Sequence, residues 1–583
     1  MKKLLLVSAI AVSYCASSFA QTNIISTNTT ALQVMKGNYD PAIYKATTVI
    51  SKPADIINGI KAEVSPDTLQ SLLEEMQQFE NRNTISDTTS PTKGIGAARR
   101  WVYGKFQQYS SRNDNRLIPS YLQFDDVVTR CNNLNAQMRN IFCVLPGTDT
   151  SEKDVVFVEG HIDSRCEDVC SDSCLAQGME DNASGTALVI ELARVMSKYS
   201  YKRTIVFVIT IGEEQGLLGA RAFAKYCIQE GIKVRGVLKY DVVGGIICGE
   251  SASQPGCMGA GTIDSLNLRL FSDNGFNSAH KQLARFTKLE YKENLLPSTG
   301  IPMNINIMTP IDRTGRGGDH QPFSDNGFTA IRFCAANEHG NADVTNPNYK
   351  DRQHTSGDIL GVDTDTDMQI DSFFVNFNYL SRLAVINGNA LAAMAVGPRT
   401  PDFDAVTIDG QDGMNVYMTT EKQYQHYRVA IRKFDNDWDS VYTITNNDHG
   451  YIHLPKSTTY FISVASVDNE NIESVFSNEK TVRTGIKDQT KLSQKVELLQ
   501  NHPNPFDGET YISMLANEDM VGKQAIVVIT DISGKVLEKL NVTLKQGMNE
   551  VLYKHGYNVV GTYTYTLMVD GQPTQSKRMV FAN

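Results

Sequence analysis

The 583-residue chain is too long for one hydrophobic core, and its length predicts two to four domains. Its 41% hydrophobic and 21% charged residues describe ordinary globular material. A net charge of -10, with no concentrated basic stretch, excludes nucleic acid as a partner.

Residues 1–20 have the parts of a secretory signal peptide: the basic Met1-Lys2-Lys3, the apolar run from Leu4 to Val12, and the small-x-small site Ser18-Phe19-Ala20. The mature chain is expected to start at Gln21, outside the cytoplasm. No transmembrane segment is expected, because no stretch reaches the roughly 20 apolar residues that spanning requires. Removing Cys15 with the leader leaves nine of the ten cysteines, so at least one thiol stays unpaired. Cys131 with Cys143 and Cys248 with Cys257 would each close a short loop in an oxidising compartment. For Cys166, Cys170 and Cys174, disulfides fit a secreted chain better than a second zinc site does.

Residues 21–60 are polar and weakly patterned and read as an extended or pro-like lead-in. Ser65-Pro66-Asp67 starts a helix with Leu69, Leu72, Leu73 and Met76 at helical spacing. A second helix is predicted from Gly94 to Tyr109, then a strand from Asn140 to Leu145. Beyond it strands and helices alternate: Val155 to Val158, Thr186 to Met196, Thr204 to Ile211, Gly219 to Glu230, Val234 to Val243. The continuous apolar strands and this alternation predict an α/β fold, a mostly parallel or mixed sheet flanked by helices.

Metal-binding side chains arrive where such a sheet binds its ligands, beyond the carboxyl ends of strands. His161 and Asp163 lie two apart and project to one side of an extended segment. Asp181 precedes a helix, adjacent Glu213 and Glu214 point different ways, and Asp241 ends the third strand. Asp181 alone would read as a helix cap, but the five positions together suit a divalent metal. His354, in Arg352-Gln-His-Thr-Ser-Gly-Asp358, is the better of two candidates for a further ligand. His339 reads as a surface-loop residue. Asp363, Asp365 and Asp367 lack the glycine of a calcium loop and read as the cap of a helix from Gln369 to Met394.

The strings HID, GMEDNASG, GEEQGLLGA, KYDVVGG, GGDHQPFSDNG and QHTSGD occur in the order of a known family. From about Val64 to Val396 the chain resembles the di-zinc aminopeptidases of the bacterial leucyl aminopeptidase family, relatives of glutamate carboxypeptidase and glutaminyl cyclase. The resemblance implies an α/β/α zinc-peptidase domain over residues 61–397 and two Zn2+ ions. It implies that Asp181 bridges both, that His161 and Asp241 complete one, and that Glu214 and His354 complete the other. Glu213 would be the general base, Asp163 would orient His161, and peptides with a free N-terminus would be the substrates. His320 matches a pocket position, and is equally readable as a structural histidine; Gly318 stands where many relatives have Ser. A glutaminyl cyclase-like mono-zinc acyltransferase and a carboxypeptidase use the same scaffold and stay open. An inactive adhesion protein would be missing a ligand, and none is missing. Pocket walls are expected from Cys248 to Gly261 and from Leu295 to Gly317.

Two small all-β sandwich domains are expected next. Tyr427 to Arg432 and Tyr460 to Val467 alternate like half-buried strands, and residues 402–485 resemble a fibronectin type III domain. After a polar linker from Gly485 to Gln494, residues 496–583 resemble the C-terminal sorting domain read by the type IX secretion machinery. That resemblance implies a secreted or cell-surface protein exported through the periplasm.

Overall fold

The computed structural model describes residues 21–583 apart from 251, 253–254, 273–277, 314–315, 339–343, 346–349, 366, 368, 408–412, 420–423, 425, 434–436, 446–448, 456–457, 485–494, 557–558 and 583. The leader, His339 and the linker from Gly485 to Gln494 lie outside the described residues.

A nine-stranded mixed sheet organises the first 400 residues. In chain order its strands are β1 (Thr22–Ser26), β2 (Ile118–Val128), β3 (Leu134–Leu145), β4 (Asp154–His161), β5 (Ile205–Thr210), β6 (Lys233–Tyr240), β7 (Asn267–Ser272), β8 (Asn304–Ile307) and β9 (Ala330–Ala335). Their order across the sheet is β1-β2-β3-β5-β4-β6-β9-β7-β8. The centre, β5-β4-β6-β9, is parallel, and the antiparallel β1-β2-β3 ribbon extends one edge. β4 and β5 can be unbroken apolar runs because helices cover both faces.

The helices are α1 (Thr29–Met35), α2 (Pro53–Ile60), α3 (Pro66–Met76), α4 (Gly94–Arg112), α5 (Ser184–Met196), α6 (Leu218–Glu230), α7 (Ala279–Glu290), α8 (His320–Asp325) and α9 (Phe377–Val396). One core gathers Leu69, Leu73, Val102, Leu188, Phe286 and Leu391 from α3, α4, α5, α7 and α9. On the opposite face Val34, Phe223 and Phe323 from α1, α6 and α8 pack around Phe142 and Phe157. The α/β expectation holds.

Three expectations need correction. Residues 21–60 are not an extended lead-in: β1 pairs with β2, and α1 and α2 bury Val34, Met35, Ile56 and Ile60. The helical segments here are only seven and eight residues long, shorter than the window of about 11–18 residues over which a helical period is read. Helix α9 starts at Phe377, capped by the Asn376 side chain, which accepts the Tyr379 amide at 2.8 Å. Asp363, Asp365 and Asp367 instead each accept the amide two residues ahead, holding an exposed loop. Cys143 does not pair with Cys131; it faces the core from β3, buried and free. Cys131 bonds Cys170 and Cys166 bonds Cys174, while the expected Cys248–Cys257 bridge is present.

Two smaller all-β units follow. Between Asp402 and Arg483, a three-stranded and a four-stranded antiparallel sheet enclose a core including Met414, Val429, Ile462 and Val464. This unit is tied to the sheet domain by a buried Glu479 carboxylate that meets Arg285 at 2.9 Å and Arg432 at 2.7 Å. From Val496 to Phe581 a second pair of sheets, again of three and four strands, encloses a core of its own around Ile512, Val527, Tyr565 and Leu567. No helix among the described residues is long and apolar enough to cross a membrane.

Candidate metal centre

Parallel strands deliver backbone ends to one edge, and the site is built there. His161 is the last residue of β4, Asp241 follows β6, and Glu213 and Glu214 lie in the turn after β5. Asp181 sits in the turn leading into α5 but caps nothing, since no side chain caps that helix at its N-cap. Asn182 instead accepts the Gly185 amide at 2.9 Å and donates to the Tyr240 carbonyl at 2.8 Å, binding the turn to the end of β6. Residue 185 must be glycine, because a Cβ there would lie 2.4 Å from Asn182 Oδ1 and 2.8 Å from Tyr240 O.

The two Asp181 oxygens face different partners. Oδ1 lies 3.3 Å from His161 Nε2, and Oδ2 lies 3.2 Å from His354 Nε2. His161 Nε2 is also 3.2 Å from Asp241 Oδ1, and His354 Nε2 is 3.5 Å from Glu214 Oε2. Donors held about 2.0–2.2 Å from a shared tetrahedral ion lie roughly 3.3–3.6 Å from one another. The donor atoms thus fall into two groups at metal-ligand spacing, His161 with Asp241 and Glu213, and Asp181 with Glu214 and His354. Glu214 Oε1 is buried with no hydrogen-bond partner, as expected of an oxygen meant for a cation. The residues present fit two divalent ions.

Electrostatics reports the same crowding. Burial, Asp181 and Glu213 push the Glu214 carboxyl well above the usual carboxylate range. Burial pushes Glu213 up to about 8, with Asp241 and Asp319 adding to it against His161 and Lys239. Burial would lower His161, but Asp241, Asp163 and Asp181 raise it well above an ordinary imidazole. So many acids in so little water need a positive partner.

The Asp163 carboxylate lies beside His161 and also holds backbone amides of the turn after β5. His161 Nδ1 lies 3.0 Å from the Asp163 backbone carbonyl and 3.5 Å from its carboxylate Oδ1. The carboxylate accepts the amides of Glu213 at 3.2 Å and Glu214 at 3.1 Å, and the Thr84 hydroxyl at 3.0 Å. His320 is buried, with Nε2 donating to the Ile311 carbonyl at 2.8 Å, and burial lowers it to about 4. Its side chain is not among those lining the cavity over the donors. A Cβ at Gly318 would lie 3.3 Å from His320 Nδ1 and 3.2 Å from Arg332 Cδ, so the glycine gives that arginine room.

Residues 140–375 match the model of peptidase family M28. A probable zinc metalloprotease of Pyricularia oryzae is 31% identical over 387 residues, covering 64% of this chain and 72% of that protein. The chain belongs to peptidase family M28. A probable zinc metalloprotease of Leptosphaeria maculans is 28% identical over 396 residues, covering 65% of this chain and 86% of that one. The LapA aminopeptidase of Legionella pneumophila is 17% identical in a superposition with TM-score 0.42 that covers 61% of this chain and 78% of that one.

Several supporting residues of this M28 peptidase escaped the sequence reading. Asp358 accepts the amides of Glu180 at 2.9 Å and Asp181 at 3.0 Å, fixing the turn that presents Asp181. Gln353 donates to Asp181 Oδ2 at 2.6 Å. Both lie in the string that supplied His354, so neighbours of a ligand were the available signal. Arg332 meets Asp241 Oδ2 at 3.1 Å, and a charge inside the apolar strand β9 marked it. Thr84 carried no signal. Of the expected pocket walls, Arg313, Arg316 and Gly317 line the cavity; no described residue from Cys248 to Gly261 is among its lining.

Proposed function

We propose that this M28 peptidase is a two-zinc exopeptidase that removes N-terminal residues from peptides outside the cytoplasm. The division of the Asp181 oxygens between two donor groups carries the reading. His161 and Asp241 would hold one ion, Glu214 and His354 the other, with Asp181 shared. Two zinc ions supply Lewis-acid charge that polarises the scissile carbonyl and makes water a nucleophile near neutral pH. Glu213 takes the attacking water's proton on a carboxylate oxygen and gives it to the leaving nitrogen. Its half-buried position at the cavity wall, with Glu214 turned to the donors, supports that division of labour. Asp163 holds both glutamate amides and so sets the distance between base and metal donors.

The test is a metal count on purified protein, combined with cleavage of free-amine and N-blocked aminoacyl substrates. Two zincs with cleavage of the free-amine substrates alone supports the proposal. One zinc with pyroglutamate formation overturns it in favour of an acyltransferase. One observation favours a second reading, a carboxypeptidase: the cavity is lined by arginines. Cleavage confined to N-blocked peptides with a free carboxylate would establish it.

The remaining units are read as delivery. Three disulfides fit an oxidising compartment. Residues 402–485 would be a fibronectin type III-like spacer or docking module, and residues 496–583 the module that the type IX secretion machinery reads after the leader has brought the chain to the periplasm.

A further inference from the structure

The cavity over the donors has a volume of about 410 Å³ and an unusual charge pattern. Among the described residues its acids are Asp181, Glu213, Glu214 and Asp241, all of which the proposed function assigns to metal or to proton transfer. Six arginines share its wall. Two of them are accounted for locally: Arg313 and Arg332 pair with Asp312 and Glu338, and Arg332 also meets Asp241.

The other four have no carboxylate partner among the described residues. Arg130 donates to the Glu214 carbonyl at 2.8 Å, and Arg165 donates to the carbonyls of Cys166 and Glu167. Arg221 and Arg316 make no side-chain hydrogen bond or ion pair with a described residue. Arg316 is half-buried nonetheless, and desolvation there lowers its pKa. None of the four lies within ion-pair distance of a donor acid, although Arg165 lowers Glu214 and Asp181 raises Arg316 from farther off. A planar guanidinium fork left open beside a reacting centre matches a carboxylate. Conversely, no lining carboxylate is left over to receive a substrate ammonium.

We infer that this pocket selects peptides carrying a carboxylate next to the scissile bond, gripped by Arg316 and Arg165. The inference rests on the exopeptidase reading for the position of that bond, and supplies the substrate class. The carboxylate has two sources, an acidic side chain on the terminal residue or the free C-terminus of the peptide.

The experiment uses the full-length, zinc-loaded chain carrying Glu213→Gln, so that binding is read by calorimetry without turnover. The probes are glutamyl-alanine amide, leucyl-alanine amide and an N-acetylated neutral dipeptide with a free carboxylate. At least one carboxylate-bearing probe is expected to bind about tenfold or more tighter than leucyl-alanine amide, the scale of one charge-assisted contact. That advantage should shrink with added salt and collapse when Arg316→Gln is added, while Arg316→Lys retains part of it. The tighter carboxylate probe identifies the source. Equal binding of the neutral amide, or an advantage that survives both Arg316→Gln and Arg165→Gln, overturns the inference. The same probes offered to the unsubstituted enzyme test the parent reading separately. Absence of hydrolysis there would remove the peptidase assignment, whereas the binding ratio decides the pocket.

Discussion

The Asp163 carboxylate accepts the Glu214 amide at 3.1 Å and the Glu213 amide at 3.2 Å, so the end of β4 holds the turn after β5. Parallel strands bring the two turns side by side, and the two Asp163 oxygens take one amide each. Asp163→Asn would replace one acceptor by an NH2 that faces a backbone N–H. Glu214 would then lose its fixed position, and zinc affinity should fall about 10–100-fold, the usual cost of losing a ligand's support. Competition with a chromophoric chelator reads this directly. Unchanged affinity in Asp163→Asn would show that the turn holds itself.

Glu213→Gln removes the proton acceptor and leaves the polar shape. Zinc content should stay at the wild-type value, while kcat falls by roughly 10²–10⁴-fold, the range expected for loss of a general base. Metal analysis and turnover on the same sample separate the two effects. A variant that loses zinc as well would place Glu213 among the ligands, where its proximity to His161 and Asp241 also allows it to sit.

What could be read in advance follows from physical type. His161, Asp181, Glu213, Glu214 and Asp241 were legible as candidates because each closes an apolar run or opens a helix, and parallel strands must bring such ends together. Whether each holds metal is for the variants to decide. The cysteine pairing was less legible, because Cys131 and Cys170 are 39 residues apart and meet only after the sheet forms. The amides held by Asp163 and Asp358 leave no trace in side-chain spacing. The open guanidinium of Arg316 is defined by a missing partner, which only three dimensions reveal.

The three disulfides and the three buried thiols make a chemical prediction. Iodoacetamide should label none of Cys143, Cys227 and Cys334 in the folded protein, since all three are buried. In denaturant without reductant it should label, in the chain from Gln21 onward, those three and no other, and peptide mapping should recover Cys131–Cys170, Cys166–Cys174 and Cys248–Cys257. A Cys131–Cys143 peptide would refute the pairing.

The junction between the first β-sandwich and the catalytic domain contains one carboxylate between two cations, beside the pairs Lys288–Asp437 and Arg428–Glu293 and the packing of Trp438, Ile472 and Phe476 into the larger core. Glu479 meets Arg285 of α7 and Arg432, all three fully buried. Glu479→Gln removes the carboxylate that Arg285 and Arg432 share in the interior, and breaking a buried pair in this way costs about 3–5 kcal/mol. Urea unfolding should move by that amount, with the catalytic domain and the sandwich affected together. A loss under about 1 kcal/mol, the scale of an exposed pair, would mean that the junction is open to water.

The C-terminal unit provides the last test, of where the enzyme works. Residues Val496 to Phe581 enclose their own core, so a chain ending at Thr484 should keep the catalytic domain and the first sandwich folded. If the unit is a sorting signal, this truncation expressed in its native host should accumulate in the periplasm with full specific activity. The full-length chain should be found in the medium or at the cell surface. Fractionation with an activity assay on each fraction distinguishes the two. Equal export of both chains would remove the sorting role and leave the unit as a third structural domain.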